Sequence, residues 1–361
     1  MTPGTLRLPG RVLVVDPAPG VLALPELDAL HGLGLEPTVN LRRIGDAGLR
    51  AEIAARWATV DFDGFAEEQL ACALESGGAG FDALKCRAGI PLTAAVLARA
   101  TAAGLGRRLV LAGRAASGAD TFDAGAADRL GVAVRTTPGA NAAAVAELTL
   151  ALVLDALRGV SRRSDALRAG RWGDAVDGLP TGSLAGARLG LIGSGAIARR
   201  VAELGRAFGA EVLVHGSPRF TAERAAGWPG RRVRTVEELL AACDVVSVHV
   251  PATAETRGLI GPERLRLMRP GSVLVNTARS SVVDEAALDR ALRDPLSGPS
   301  RAAVDVFDEE GPGFASPLAD NPFCTLSPHA AGMTRSAVEE SSRRLVRAFA
   351  EFLGEAGPGR R

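Results

Sequence analysis

The chain has 361 residues, of which 47% are hydrophobic and 23% are charged, a size and composition typical of a globular protein with two domains. Its 42 basic and 41 acidic residues leave a formal net charge of +1 at pH 7, which gives no electrostatic reason to expect nucleic acid or a membrane surface as a partner. The N-terminus lacks an apolar signal-peptide core and no run is long enough to span a bilayer, so we expect a cytoplasmic protein.

Short β-branched runs alternate with Ala- and Leu-rich stretches over the first 139 residues. The predicted strands lie in "RVLVVDPAPG", "FDALKCRAG", "RLVLAGRA" and "GVAVRTTPG". Strands alternating with helices predict a parallel sheet covered on both faces. The segment from Glu52 to Gly80 is longer than one such unit requires, and we expect an insertion there.

Residues 141–170 carry apolar side chains at helical spacing and predict one long helix, or two in tandem, leading into a second domain. A second series of strands follows in "ARLGLIGSG", "AEVLVHGS", "CDVVSVHVP", "GSVLVNTAR", "RAAVDVF" and "FCTLSPHAAG". An amphipathic helix then runs from Arg335 to about Phe352. The predicted fold class is α/β, with two doubly wound parallel-sheet domains and a ligand-binding cleft between them.

The segment "LGLIGSGAIARR" contains the pattern G-x-G-x-x-A at Gly193, Gly195 and Ala198. An apolar strand precedes the pattern, and a helix is expected to begin near Ala196. In this context the first glycine permits a tight turn, the second lets the backbone approach a pyrophosphate, and the small third residue lets helix pack on strand. The pattern therefore predicts a dinucleotide-binding loop.

The next strand ends in "EVLVHGSPRF", where NAD-binding chains place an acidic residue that holds the adenine ribose. This chain instead offers Gly216 and Ser217, with Arg219 two residues further on. Ser and Arg can hydrogen-bond and charge-pair with a 2′-phosphate, so we predict NADP in preference to NAD. The alternative is that Arg219 points into solvent and the adenosine is held loosely.

Three polar residues follow apolar strands of the second half: Arg279, Glu310 and His329. A cation, a carboxylate and an imidazole at one sheet edge suit reduction of a 2-oxo acid. The Arg would bind the substrate carboxylate, the His would donate a proton, and the Glu would keep that His charged. On spacing alone, each could equally be a structural ion-pair partner.

Five segments in order resemble the signature motifs of the D-isomer-specific 2-hydroxyacid dehydrogenase family: "LGLIGSGAIARRVA", "HVPATAETRGLI", "GSVLVNTARSSVVDEAAL", "AAVDVFDEEGP" and "LSPHAAG". The resemblance extends over most of the chain. It implies a Rossmann-type cofactor domain, residues 140–329, inserted into a flavodoxin-like substrate domain formed by residues 1–139 and 330–361. It also implies a homodimer formed through the cofactor domain and its long leading helix.

By this resemblance, Arg279, Glu310 and His329 match the family's catalytic residues, and Asp305 matches the residue that binds the nicotinamide carboxamide. Substrate-binding residues implied by the resemblance are Arg87, Ser117, Gly118 and Ala119. The predicted cofactor-binding set is Gly193, Ser194, Gly195, Ala196, Ile197, Gly216, Ser217, Arg219, Val250, Pro251, Thr277, Ala278 and Asp305.

The predicted function is hydride transfer between a nicotinamide cofactor and a small 2-hydroxy or 2-oxo acid. Ser280 departs from the family by placing a side chain where glycine normally lies beside the nicotinamide. Two alternatives stay open: a dehydrogenase of a phosphonate or phosphite-type substrate, and a catalytically weak NAD(P)-sensing binding protein. The four cysteines lack metal-ligand spacing, so we expect reduced, mostly buried thiols and no metal.

Overall fold

The computed structural model describes residues 10–355 apart from residues 117, 119–120, 179–180, 295, 297 and 312. The chain divides into two compact units, which are Met1–Asn141 with Arg335–Arg361 and Ala142–Thr334. The assignment of substrate binding to the first unit and cofactor binding to the second stays a prediction.

The first unit is built on a six-stranded sheet in the order β3-β2-β1-β4-β5-β6, with every pair parallel. Its strands are β1 (Gly10–Val14), β2 (Leu35–Asn40), β3 (Ala58–Val60), β4 (Ala83–Cys86), β5 (Leu111–Arg114) and β6 (Ala133–Thr136). Its helices are α1 (Ala23–Gly32), α2 (Ala47–Arg56), α3 (Glu67–Glu75), α4 (Ala94–Ala100), α5 (Ala124–Leu130) and α14 (Arg335–Glu355).

The extra length expected between residues 52 and 80 forms the edge strand β3 and the helix α3. Without β3, the remaining order β2-β1-β4-β5-β6 is that of a flavodoxin-like sheet. The additional residues therefore extend the sheet at one edge.

The chain's last helix, α14, packs closely on the sheet of the first unit. A Cβ atom placed on Gly113 of β5 would lie 2.2 Å from Cε1 of Phe349 and 2.9 Å from Cδ1 of Leu345. Phe349 and Leu345 belong to the same buried apolar cluster as Val12 and Leu111. The two ends of the chain thus share one core.

The second unit is built on a seven-stranded parallel sheet in the order β13-β12-β11-β10-β7-β8-β9. Its strands are β7 (Arg188–Ile192), β8 (Glu211–His215), β9 (Arg231–Arg232), β10 (Val245–Val248), β11 (Val273–Asn276), β12 (Arg301–Val304) and β13 (Cys324–Leu326). Its helices are α6 (Ala142–Arg158), α7 (Val160–Arg168), α8 (Trp172–Val176), α9 (Ala196–Ala207), α10 (Ala222–Ala225), α11 (Val236–Ala242), α12 (Pro262–Leu267) and α13 (Glu285–Arg293).

The predicted connecting helix consists of two helices in tandem. Gly159, with φ +62°, lies between α6 and α7, a left-handed conformation that glycine adopts readily. α6 packs along β11, β12 and β13, and its Asp155 accepts a 2.7 Å hydrogen bond from Thr325 Oγ1.

None of the helices in the described part of the chain combines the length and apolar character needed to cross a bilayer. All four cysteines are unpaired: Cys86 and Cys243 are buried, Cys324 is half-buried and Cys72 is exposed. Burial raises the pKa of Cys243 to about 12, so this thiol carries no charge at neutral pH.

Candidate active site

The glycine loop joins β7 to α9 in the second unit, and α9 begins at Ala196. Gly193 has φ +119°, and a Cβ atom there would lie 2.3 Å from the carbonyl oxygen of His249. A side chain at this position is therefore excluded by backbone. Gly195 and Ala196 are exposed, and a Cβ on Gly195 would meet open space, so the helix N-terminus is accessible to an anion. The loop fits a dinucleotide pyrophosphate.

The end of β8 is closed to larger side chains. A Cβ atom on Gly216 would lie 2.6 Å from both Ser194 Oγ and Phe220 Cβ. Ser217 and Arg219 are exposed, and the structure records no ion pair for the Arg219 guanidinium within the described residues. An acidic side chain at position 216 would require this turn to rearrange.

The turn after β11 is locked by Asn276, whose side chain is almost fully buried. Its Oδ1 accepts a 3.0 Å hydrogen bond from the amide of Ala278, and its Nδ2 donates at 2.9 Å to the carbonyl oxygen of Arg279. Thr277 is buried and its hydroxyl lies 2.9 Å from that of Thr149 on α6. Arg279 is half-buried, and its Nη1 donates to the carbonyl oxygen of Ala278 at 2.7 Å.

Glu310 and His329, which follow β12 and β13, form a hydrogen-bonded pair. His329 Nδ1 lies 2.8 Å from Glu310 Oε2 and 3.0 Å from Oε1. Glu310 Oε1 also accepts a 3.0 Å hydrogen bond from the amide of Phe307. The imidazole side chain is 46% exposed, so Nε2 is left for a ligand. His329 has φ +52°, a conformation that costs a non-glycine residue about 1–3 kcal/mol and is concentrated at functional sites.

Asp305 holds the backbone that follows His329. Its side chain is fully buried, and its two oxygens accept hydrogen bonds from the amides of Ala330 at 2.9 Å and Ala331 at 3.0 Å. Asp305 therefore positions the histidine-bearing loop. Its predicted contact with the nicotinamide carboxamide stays a prediction.

His249 follows β10 and closes over the glycine loop. Its amide donates to the carbonyl oxygen of Ile192 at 2.7 Å, and its Nε2 lies 2.9 Å from the hydroxyl of fully buried Ser247. Burial lowers the pKa of His249 to about 3, so the ring is neutral under ordinary conditions. Val250 and Pro251, which were predicted to bind the cofactor, follow directly at the same edge of the sheet.

In the first unit, Arg87 follows β4 and is half-buried, and its buried Nη1 has no hydrogen-bond partner among the described residues. Gly118 accepts a 3.2 Å hydrogen bond from Nη1 of buried Arg114. Ser117 and Ala119 lie outside the described residues.

The positioning roles of Asn276, Asp305 and His249 were not predicted from the sequence. Asn276 carried a usable signal, since it is a polar residue that ends an apolar strand just before Arg279. His249 lies in the quoted "HVPATAETRGLI" motif, but its contact with Gly193 joins residues more than fifty positions apart.

Comparison with known proteins identifies a family for the second unit. Residues 150–331 match the family model described as "D-isomer specific 2-hydroxyacid dehydrogenase, NAD binding domain". A glyoxylate reductase of Aeropyrum pernix is 39% identical over 252 residues, covering 68% of this chain and 72% of the relative. A D-3-phosphoglycerate dehydrogenase of Methanocaldococcus jannaschii is 35% identical, but the match covers 71% of this chain and only 47% of that enzyme.

Among solved structures, the fold is similar to that of a glyoxylate reductase from Paecilomyes thermophila, with a TM-score of 0.76 and 26% sequence identity. The match covers 96% of each chain. The similarity thus includes both units.

We expect His249 to make stability pH-dependent. Below the unfolded-state pKa of about 6.5 the unfolded chain binds a proton that the folded protein excludes, so the free energy of unfolding falls as pH is lowered. Between pH 7.5 and 5, His249→Gln should remove a pH-dependent loss of at most about 2 kcal/mol. Urea unfolding of both proteins at the two pH values measures this difference, and identical pH dependence would contradict the lowered pKa of His249.

Proposed function

Because this chain belongs to the D-isomer-specific 2-hydroxyacid dehydrogenase family, we propose that it transfers a hydride between NADP(H) and a small 2-hydroxy or 2-oxo acid. The observation that carries the proposal is the His329–Glu310 pair, which lies at the carboxyl edge of the sheet that also bears the glycine loop. In doubly wound folds, ligands bind at this edge.

The proposed mechanism assigns one task to each polar side chain. When bound, the nicotinamide supplies or takes up the hydride at the substrate's second carbon. The Arg279 guanidinium binds the substrate carboxylate and orients the carbonyl group. His329 holds a proton on Nε2 and delivers it to the carbonyl oxygen, which completes the 2-hydroxy acid. Glu310, fixed by the Phe307 amide, accepts from Nδ1 and stabilises the imidazolium.

The preference for NADP rests on the end of β8. The crowding of Gly216 by Ser194 and Phe220 leaves no room for the carboxylate that would bind a free ribose and repel a 2′-phosphate. Ser217 and Arg219 are exposed beside it and supply a hydroxyl and a cation suited to a phosphate dianion.

Substitution of His329 tests the proton donor. We expect His329→Ala to lower the turnover number for reduction by about 10²- to 10⁴-fold, because proton delivery is lost, while NADPH binding measured by fluorescence stays within twofold. In the wild type, reduction should slow as pH rises, since the reaction consumes the proton on His329.

A panel of glyoxylate, hydroxypyruvate, pyruvate, bulkier 2-oxo acids and a phosphonate analogue identifies the substrate. If the protein reduces none of these compounds, the result would favour a sensor.

Substitution of Arg219 tests the cofactor assignment. Arg219→Ala should lower kcat/KM for NADPH by roughly tenfold, the value of one lost charge-assisted contact, and leave kcat/KM for NADH unchanged. Arg206→Ala, an exposed arginine in the last turn of α9, is the matched control and should change neither value. A wild-type preference for NADH would refute the assignment.

We also propose a homodimer formed through α7 and α8. Apolar side chains on these helices are exposed to an unusual degree: Val160 is 61%, Leu167 49% and Trp172 71% exposed, a pattern typical of an interface. Trp172→Glu should convert a dimer to a monomer at micromolar concentration, as measured by light scattering. Val21→Glu, which charges an equally exposed position (67%) in the first unit, should leave the dimer intact, and a monomeric wild type would refute the proposal.

A further inference from the structure

The loop that carries Glu310, residues 308–316, is hydrogen-bonded at both ends to Glu285. Glu285 is the first residue of α13 and is only 6% exposed. Its Oε1 accepts a 2.8 Å hydrogen bond from the amide of Asp308, and its Oε2 accepts a 2.6 Å hydrogen bond from the hydroxyl of Ser316. The two carboxyl oxygens therefore hold residues eight positions apart.

Between these anchors the chain folds back on itself. Glu309 and Ala315 form an isolated antiparallel bridge, and the rings of Phe307 and Phe314 meet edge to face with centroids 5.0 Å apart. The two hydrogen bonds of Glu285 thus join the ends of a short segment in which Glu310 is exposed.

Glu285 is connected to the Glu310–His329 pair through the backbone of Phe307 and Asp308. Asp308 N, which Glu285 holds, adjoins Phe307, whose amide donates to Glu310 Oε1 at 3.0 Å. Glu310 in turn lies 2.8 Å from Nδ1 of His329. Within the described part of the chain, the charged side chain hydrogen-bonded to the His329 ring is Glu310, and Asp305 binds the amides of the next two residues.

We propose that Glu285 is a positioning residue for the proposed reductase reaction, holding Glu310 in register with His329 without touching substrate or cofactor. The proposal rests on the function proposed above. A carboxylate suits the task because it offers two acceptors in a fixed fork, one for each end of the loop. Loss of the Glu285 carboxylate leaves the backbone fold in place but lets Glu310 move away from the His329 imidazole. The charged form of that imidazole is then less well stabilised.

A pocket of about 700 Å³ lies beside these hydrogen bonds, and Glu285, Asp308 and Ser316 all line it. Truncation of Glu285 therefore adds space to an existing pocket. This makes Glu285→Ala a usable variant.

The test compares four variants. Glu285→Ala removes both anchors and Ser316→Ala removes one; Glu285→Gln should restore function, because its amide oxygen can accept from Asp308 and its NH₂ group can donate to the Ser316 hydroxyl. Asp289→Ala is the control, since Asp289 lies one turn further along α13 and holds Arg293 and Asn321 rather than the loop.

We expect Glu285→Ala to lower kcat about tenfold with KM for NADPH within twofold, and to shift the midpoint of the pH profile for reduction to lower pH by roughly half a unit or more. Ser316→Ala should shift it less, and Glu285→Gln and Asp289→Ala should keep the wild-type midpoint. A midpoint unchanged in Glu285→Ala, or shifted equally in Asp289→Ala, overturns the proposal.

Titration of the His329 ring by NMR, assigned with His329→Gln, separates this proposal from the proposed function. If the wild type reduces no 2-oxo acid, the function is wrong. The positioning role then stands if the ring titrates at lower pH in Glu285→Ala than in the wild type. The role fails if the two proteins titrate at the same pH.

Discussion

The orientation of His329 depends on the buried carboxylate of Asp305. Both Asp305 oxygens bind backbone amides of the two residues after His329, and the amide of Asp305 is itself held by the carbonyl oxygen of Asn276 on the neighbouring strand. This network offsets the cost of a left-handed backbone at His329. Because a fully enclosed carboxylate is stable only when its oxygens are satisfied, the loop conformation and the burial of Asp305 require each other.

The same device recurs around the site. Asn276 bridges the turn that ends in Arg279, and Glu285 bridges the loop that carries Glu310. Asn276 and Asp305 bind backbone groups, whereas Glu285 binds one backbone amide and one side-chain hydroxyl. In each case the buried polar side chain fixes the segment of main chain that carries the exposed group. Such support reduces the reorganisation that a reacting group would otherwise undergo.

Sequence reasoning located the strands whose apolar runs are uninterrupted and the glycine loop that follows one of them. It missed β2, where Glu36 and Pro37 break the apolar pattern, the three-residue edge strand β3, and β9, which consists of two charged residues. The expectation that Glu310 pairs with His329 followed from their places after apolar strands together with the family resemblance, and the two side chains lie within hydrogen-bond distance. The role of Glu285 did not follow from the sequence, because its partners lie 23 and 31 residues away and its bonds to an amide and a hydroxyl leave no residue pattern.

The shared core of α14 and β5 has a consequence for the order in which the chain matures during synthesis. Phe349 fills the space above Gly113. The hydrophobic core of the first unit is therefore incomplete until α14 leaves the ribosome. Synthesis of the second unit, Ala142–Thr334, is complete about twenty residues earlier. Because domains fold as units once their chain has emerged, this unit can fold first. During that interval the nascent first unit exposes the apolar sheet face around Gly113 that Phe349 and Leu345 later cover.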